Sequence, residues 1–327
     1  MPRAEKILVT GASGFLGGSL VRRLVAEGHR VRALVHENEP IGLAGPCEIV
    51  RGDLGRPEDC RRAVDGVDRV FHFAAVTSGA AVMVRTPLVH LTPNVVMNTL
   101  LLEAAHAAGV RRFVFPSSGA AYPPTGNRPV REEEMFSADP YDGYYAVASM
   151  KRFTELLCEM YANRVEPPMS TVVVRPSNVY GPFDKFDPAT SHVTAALVRK
   201  VATGLDPIPV WGDGSEIRDL IYIEDFLDGV LAAADSEERF LAVNIASGRG
   251  CSVREILETL LAIDGRSKAA VEFDSSKPST IPARLMDTTL ARETLGFEAR
   301  TSLEKGLAHT LAWFRQSIDE EKTHATG

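Results

Sequence analysis

The chain has 327 residues, 45% hydrophobic and 24% charged, enough to bury a large core in one large or two interleaved domains. Its formal net charge of -7 offers no overall basic footprint for nucleic acid or an anionic membrane surface. Cys47, Cys60, Cys158 and Cys251 are scattered without paired-ligand spacing, which argues against a disulfide framework or a metal site; with no leader-like or membrane-length apolar run, the cytoplasm is the expected compartment.

The first predicted element is a buried strand at 6–10, where Ile7, Leu8 and Val9 run on without polar alternation. Gly11, Gly14 and Gly17 follow at three-residue spacing, and a helical pattern of Leu16, Leu20 and Leu24 predicts a helix over 15–27. In this setting Gly11 permits the tight turn, Gly14 lets backbone approach a pyrophosphate, and Gly17 lets the helix pack close to the sheet. Ser13, Phe15 and Leu16 complete a loop that predicts dinucleotide binding. Strands at 30–35, 47–50, 69–73, 111–116 and 170–175 alternate with helices at 57–64, 92–108 and 145–162. That order predicts an α/β fold, a Rossmann-type doubly wound parallel sheet. Past Tyr180 prolines and glycines thicken around helices at 189–203, 224–235 and 252–263 and short strands near 208–211, 220–223 and 270–273. We expect a dinucleotide-binding domain over 1–180, with about 220–250 returning to it, and a smaller α/β substrate lobe over 181–327 laid on the carboxyl ends of the strands. The second strand ends at Val35 with neither the acid of an NAD site nor the base of an NADP site, which leaves His36 or Glu37 to reach the ribose. NAD is favoured because a 2′-phosphate would lack a cation; NADP stays open.

From Gly52-Asp53-Leu54 and Val70-Phe71-His72-Phe73-Ala74-Ala75 onward the chain resembles the extended short-chain dehydrogenase/reductase family that acts on nucleotide sugars. The resemblance implies that Asp53 hydrogen-bonds the adenine, with Leu54 beside it in the cofactor site, that Ala74 and Ala75 pass the ribose and nicotinamide, and that Asn94 lies beside the active site. In Pro116-Ser117-Ser118 it assigns Ser118 as the catalytic serine. Gly119 and Ala120 stand where sugar-nucleotide 4,6-dehydratases carry an acidic pair, which argues against dehydration. The stretch from Asn178 to Pro188, with Ser191-His192-Val193 and Val210-Trp211-Gly212-Asp213-Gly214, is closest to the GDP-L-fucose synthase-like branch. That resemblance implies Asn178, Arg218 and Arg284 as substrate-binding residues and His192 as an acid that also touches substrate. Guanidinium groups suit a diphosphate because they donate bidentately and never deprotonate.

Two positions depart from the family. Its proton relay needs a tyrosine one helical turn before a lysine, but Val147 stands four residues before Lys151. On a regular helix Tyr145 and Lys151 point about 120° apart, and Tyr144 shares the face of Lys151 but lies roughly 10 Å away along the axis. Either Tyr145 or Tyr144 folds back to serve, or the relay is absent. Lys151 is expected both in catalysis and on the nicotinamide ribose. The second departure is Ala120, where the fucose synthase branch has a cysteine base. The expected enzyme is therefore a nucleotide-sugar C4 epimerase using Ser118, Tyr145, Lys151 and His192; the resemblance implies a homodimer joined through the helices at about 92–108 and 145–162. An NADPH-dependent 4-keto nucleotide-sugar reductase is the alternative, and a non-catalytic dinucleotide sensor or scaffold the reading from another class.

Overall fold

The first strand and its glycine turn set the frame. β1 (Lys6–Thr10) leads through the turn into α1 (Phe15–Ala26), and the chain continues β2 (Arg30–Val35), β3 (Glu48–Arg51), α2 (Pro57–Val64), β4 (Arg69–His72), α3 (Leu88–Ala107), β5 (Arg112–Pro116), α4 (Tyr145–Asn163) and β6 (Ser170–Pro176). After it come β7 (Asn178–Tyr180), α5 (Val193–Ala202), β8 (Ile208–Trp211), β9 (Ile217–Tyr222), α6 (Ile223–Ala234), β10 (Phe240–Ile245), β11 (Gly250–Ser252), α7 (Val253–Ile263), β12 (Val271–Asp274), β13 (Ala283–Arg284), α8 (Thr289–Leu295) and α9 (Leu303–Ala325). This computed structural model describes residues 5–40, 42–77, 86, 88–188, 190–276 and 281–325.

Seven strands form one parallel sheet in the order β10-β6-β5-β4-β1-β2-β3. The alternation of a strand sends Ile7 and Val9 to one face and Leu8 to the other. The first face packs with Leu20 and Leu24 of α1 and Phe226 and Val230 of α6; the second with Cys60 of α2, Leu101 and Leu102 of α3 and Cys158 of α4. Both faces are apolar and covered, as a parallel sheet requires. Each fully buried aliphatic side chain contributes about 1.5–3 kcal/mol relative to exposure.

Over the carboxyl edge lies a second sheet in the order β11-β9-β13, with β7 also paired to β9, and a two-stranded ladder of β12 and β8. A small core of Ala121, Tyr122, Val130, Met135, Ala148, Ala246 and Met286 sits beneath it. The helix expected from 189 begins at Val193, because His192 is extended (φ -77°, ψ 167°) and serves as its N-terminal cap residue; position 189 lies outside the described residues. α3 begins four residues earlier than expected and contains Pro93, which removes one helical hydrogen bond without ending the helix. Among the described residues no helix is long and apolar enough to cross a membrane.

Candidate active site

The carboxyl ends of β5, β4, β1 and β2 lie side by side at one edge of the parallel sheet, where an open α/β sheet forms its ligand crevice. Gly11 has a φ of 65°, and a Cβ there would lie 2.7 Å from the Ala74 nitrogen; a Cβ on Gly17 would lie 2.4 Å from the Gly11 oxygen. Neither position tolerates a side chain without moving backbone. Gly14 is exposed and caps α1, yet no side chain caps that helix and its first turn holds no acid. The N–H groups of the first helical turn, with Ser13, Phe15 and Leu16 beside them, therefore face the crevice with the positive end of the helix dipole. This cradle fits a dinucleotide pyrophosphate. Past the buried end of β2, His36 and Glu37 are exposed, and the neighbouring cation Arg51 donates to the Glu37 carbonyl and pairs with Glu39. Asp53 closes its own turn, its Oδ1 accepting from the Gly55 N–H at 2.8 Å, and Leu54 is buried in the core.

A buried polar chain holds the strand end that passes this cradle. The Thr10 hydroxyl accepts from the Ala74 N–H at 3.0 Å and donates to His72 Nδ1 at 2.8 Å; His72 Nε2 donates to Asn98 Oδ1 at 2.9 Å; Asn98 Nδ2 donates to the Thr154 hydroxyl at 3.0 Å. Burial pushes the His72 imidazole down to about 4, against the opposing Asn98 bond, so it is neutral. Asn94 clamps the next residues: its side chain accepts from the Val76 N–H at 2.9 Å and donates to the Val76 carbonyl at 3.0 Å. Ala74 and Ala75 are thereby fixed as backbone along the crevice. His72 and Asn98 were not expected; their signal is a polar residue inside an apolar run on a strand and on a helix.

At the end of β5 the Ser118 hydroxyl accepts from the Ala120 N–H at 3.1 Å and caps a short turn. The Lys151 ammonium donates to the Pro116 carbonyl at 2.7 Å and lies 4.6 Å over the Phe115 ring. Burial pushes it down to about 8, with Glu155 opposing. Serine and lysine thus flank one strand end. The tyrosines do not join them. Tyr145 is 54% exposed and lies near Arg152, while the half-buried Tyr144 lies near Arg218 and Arg284.

The facing wall comes from the smaller lobe. Arg218 on β9 and Arg284 on β13 are direct cross-strand neighbours, both buried. Arg284 donates to the Tyr122 and Pro123 carbonyls at 3.0 Å each, and burial pushes it down to about 10. Asn178 opens β7 beside Leu220, on a separate ladder of the same strand β9. His192 stands solvent-accessible at the head of α5; the surrounding protein and the charge of Lys185 hold it below its usual range. Lys185 donates to the Thr77 hydroxyl at 2.7 Å, and burial raises Asp184 to about 7.

A second buried network ties lobe to sheet. Glu155 and Arg175 are ion-paired at 2.6 Å with side chains 2% and 4% exposed, and Arg175 also donates to the Tyr122 hydroxyl and the Glu132 carbonyl. Tyr122 in turn donates to Asn244 at 2.6 Å, whose amide donates to the Val130 and Asp287 carbonyls. These residues lie on segments distant in sequence, so sequence spacing alone gives no sign that they meet.

The rice GDP-mannose 3,5-epimerase 1 (Oryza sativa subsp. japonica) is 32% identical over 97% of this chain and 84% of its own. The Escherichia coli K12 GDP-L-fucose synthase is 28% identical over 96% and 98%. Among solved structures, the Thermotoga maritima UDP-glucose 4-epimerase with UDP-glucose superposes with a TM-score of 0.85 at 28% identity, covering 96% of this chain and 99% of that one. With the model of the NAD dependent epimerase/dehydratase family matching residues 7–246, the chain belongs to that family.

Proposed function

We propose that the protein is a nucleotide-sugar epimerase that oxidises and re-reduces C4 of the sugar through a tightly held NAD. The observation that carries this reading is the carboxyl end of the sheet, which holds an uncapped helix N-terminus, a serine and a half-buried lysine, with two arginines in cross-strand register on the second sheet. In the assignment, Gly11, Gly14 and Gly17 with Ser13, Phe15 and Leu16 hold the pyrophosphate, Asp53 and Leu54 border the adenine, and Ala74, Ala75 and Asn94 shape the nicotinamide end. NAD supplies a reversible hydride acceptor; the alignment of Ser118 with the sugar hydroxyl, the lysine at its side and the exclusion of water belong to the protein. Arg218, Arg284 and Asn178 take the diphosphate and the sugar-nucleotide. Arg51, the cation beside the ribose end, is already paired with Glu39, which supports NAD over NADP. Ala120 has no ionisable group, so proton abstraction from a sugar carbon at that position is outside the reading.

The 4-keto reductase is the second reading, favoured by the likeness to the fucose synthase. Denaturing the purified protein and identifying released nucleotides by mass spectrometry separates the two. Stoichiometric NAD supports the epimerase; an empty protein that binds NADPH more tightly than NADH makes it a reductase. The stripe of Phe153, Leu156 and Met160 on α4, with Val89 and Val96 on α3, is exposed and apolar. We assign it to a second copy of the chain, to be tested by light scattering, and place the dimer, whose four described cysteines are free thiols, in the cytoplasm.

A further inference from the structure

One turn before Lys151, on the same face of α4, stands Val147, which has no proton to exchange. The two phenols at the head of the helix are turned elsewhere, Tyr145 toward solvent and Tyr144 toward the arginine pair. Tyr122 is sealed in its bonds to Asn244 and Arg175. Near Ser118 stands the Lys151 amine, donating to the carbonyl two residues before that serine and resting on the Phe115 ring.

We propose that Lys151 is itself the proton-transferring residue: its neutral amine takes the proton of the sugar hydroxyl held by Ser118, and its ammonium later returns it. This rests on the epimerase reading. In the forward half the C–H electron pair passes as hydride to oxidised nicotinamide, the O–H bond breaks, an N–H bond forms and the sugar carbon becomes a ketone. The return half reverses each change on the other face of the sugar. A lysine can serve in this way only if it loses its proton near neutrality, and burial on an apolar ring has that effect. The charged and titratable neighbours leave it this role. Glu155 on α4 is engaged by Arg175 of β6, His72 on β4 is neutral, and Arg152 donates to the Ala121 carbonyl. Asp184 and His192 lie on the segment after β7, and the charge that acts on both is Lys185.

The test uses the full-length protein with its bound cofactor and isotope-labelled lysine. By NMR the Lys151 side chain, assigned by comparison with Lys151→Arg, is expected to titrate near pH 8; a midpoint near the ordinary value of about 10.4 overturns the proposal, whatever the turnover. In single-turnover mixing with a panel of UDP-, GDP- and dTDP-sugars, cofactor reduction is expected to rise through the same midpoint. Lys151→Arg, which keeps the charge but cannot release a proton, should lower that rate by about 10²–10⁴-fold while retaining sugar-nucleotide binding. The ionisation should persist in Tyr144→Phe, Tyr145→Phe, Asp184→Asn and His192→Gln. Reduction that survives in Lys151→Arg, or an ionisation abolished by either Tyr→Phe change, overturns the proposal and leaves the epimerase reading standing. If no sugar of the panel reduces the cofactor of the wild-type protein, the epimerase reading fails and the proposal falls with it.

Discussion

Replacing Glu155 by Gln removes one charge from a site with almost no water. Glu155 and Arg175 meet through three contacts, at 3.2, 3.2 and 2.6 Å, and both side chains are nearly inaccessible. Glutamine keeps the shape and one acceptor oxygen but turns an N–H₂ toward the guanidinium. Arg175 retains its bonds to Tyr122 and Glu132, so its donors stay partly satisfied while its charge is left without a counter-ion. Breaking a buried pair from one side costs about 3–5 kcal/mol. In a chain of 327 residues that corresponds to a Tm lower by roughly 4–7 °C. The assay is thermal and urea unfolding of the cofactor-bound protein. The double variant Glu155→Leu/Arg175→Met removes both charges and is expected to be less destabilised than Glu155→Leu alone. A loss below about 1 kcal/mol in the single variant, well under the range for breaking such a pair, refutes the reasoning, as does a double variant worse than the two single losses combined. The same carboxylate raises the Lys151 ammonium, so Glu155→Gln should also move the lysine titration to lower pH.

Gly17→Ala places a methyl 2.4 Å from the Gly11 oxygen; a loss of about 1–3 kcal/mol and weakened dinucleotide binding by calorimetry are expected, and unchanged binding would show that the loop does not hold the cofactor. Ser118→Ala should lower turnover by about 10²-fold while sparing nucleotide binding, since it removes one hydrogen bond to the reacting oxygen; unchanged turnover removes Ser118 from the mechanism. His72 is neutral when folded, with its ionisation pushed from 6.5 to about 4, so the unfolded chain binds the extra proton first. Stability should therefore be constant above about pH 6.5 and fall by about 3 kcal/mol toward pH 4, with His72→Asn, weaker at pH 7, losing that slope in urea titrations. Asp184, raised to about 7, acts in the opposite sense: the folded state favours its protonated form, and stability is lost as pH rises from about 4 toward 7. Asp184→Asn should raise Tm more at pH 8 than at pH 5 and leave it unchanged near pH 3; equal effects at pH 8 and pH 5 would refute the assignment.

The parallel sheet was legible because its strands are apolar runs, such as Val172-Val173-Val174, separated by helices with a clear period. The glycine turn was legible because three small residues sit between a strand and a helix. The lobe was less so. β7, β11 and β13 have three, three and two residues, too few for any periodicity, and each forms only because β9 lies alongside. Site residues divide the same way. Ser118 and Lys151 are neighbours because strand ends and helix faces follow simple geometry, whereas the direction of Tyr144 depends on how the chain bends into α4 (φ -115°, ψ 3°), which propensity does not encode. Asn94 was expected near the active site; its side chain is bound to the Val76 backbone, so its bonds support the shape of the crevice.

The edge strand β10 is supplied by residues 240–245, more than sixty positions after its partner β6 ends at Pro176. During synthesis, the row of peptide groups on the outer side of β6 therefore waits without a partner until the first part of the lobe has emerged. An open edge of a Val-rich strand is a template for pairing with other chains, and closure across so long a separation is slow. A truncated chain ending near 180 would carry that exposed edge permanently. Such a chain, although it keeps the whole glycine loop, is thus expected to aggregate when expressed by itself.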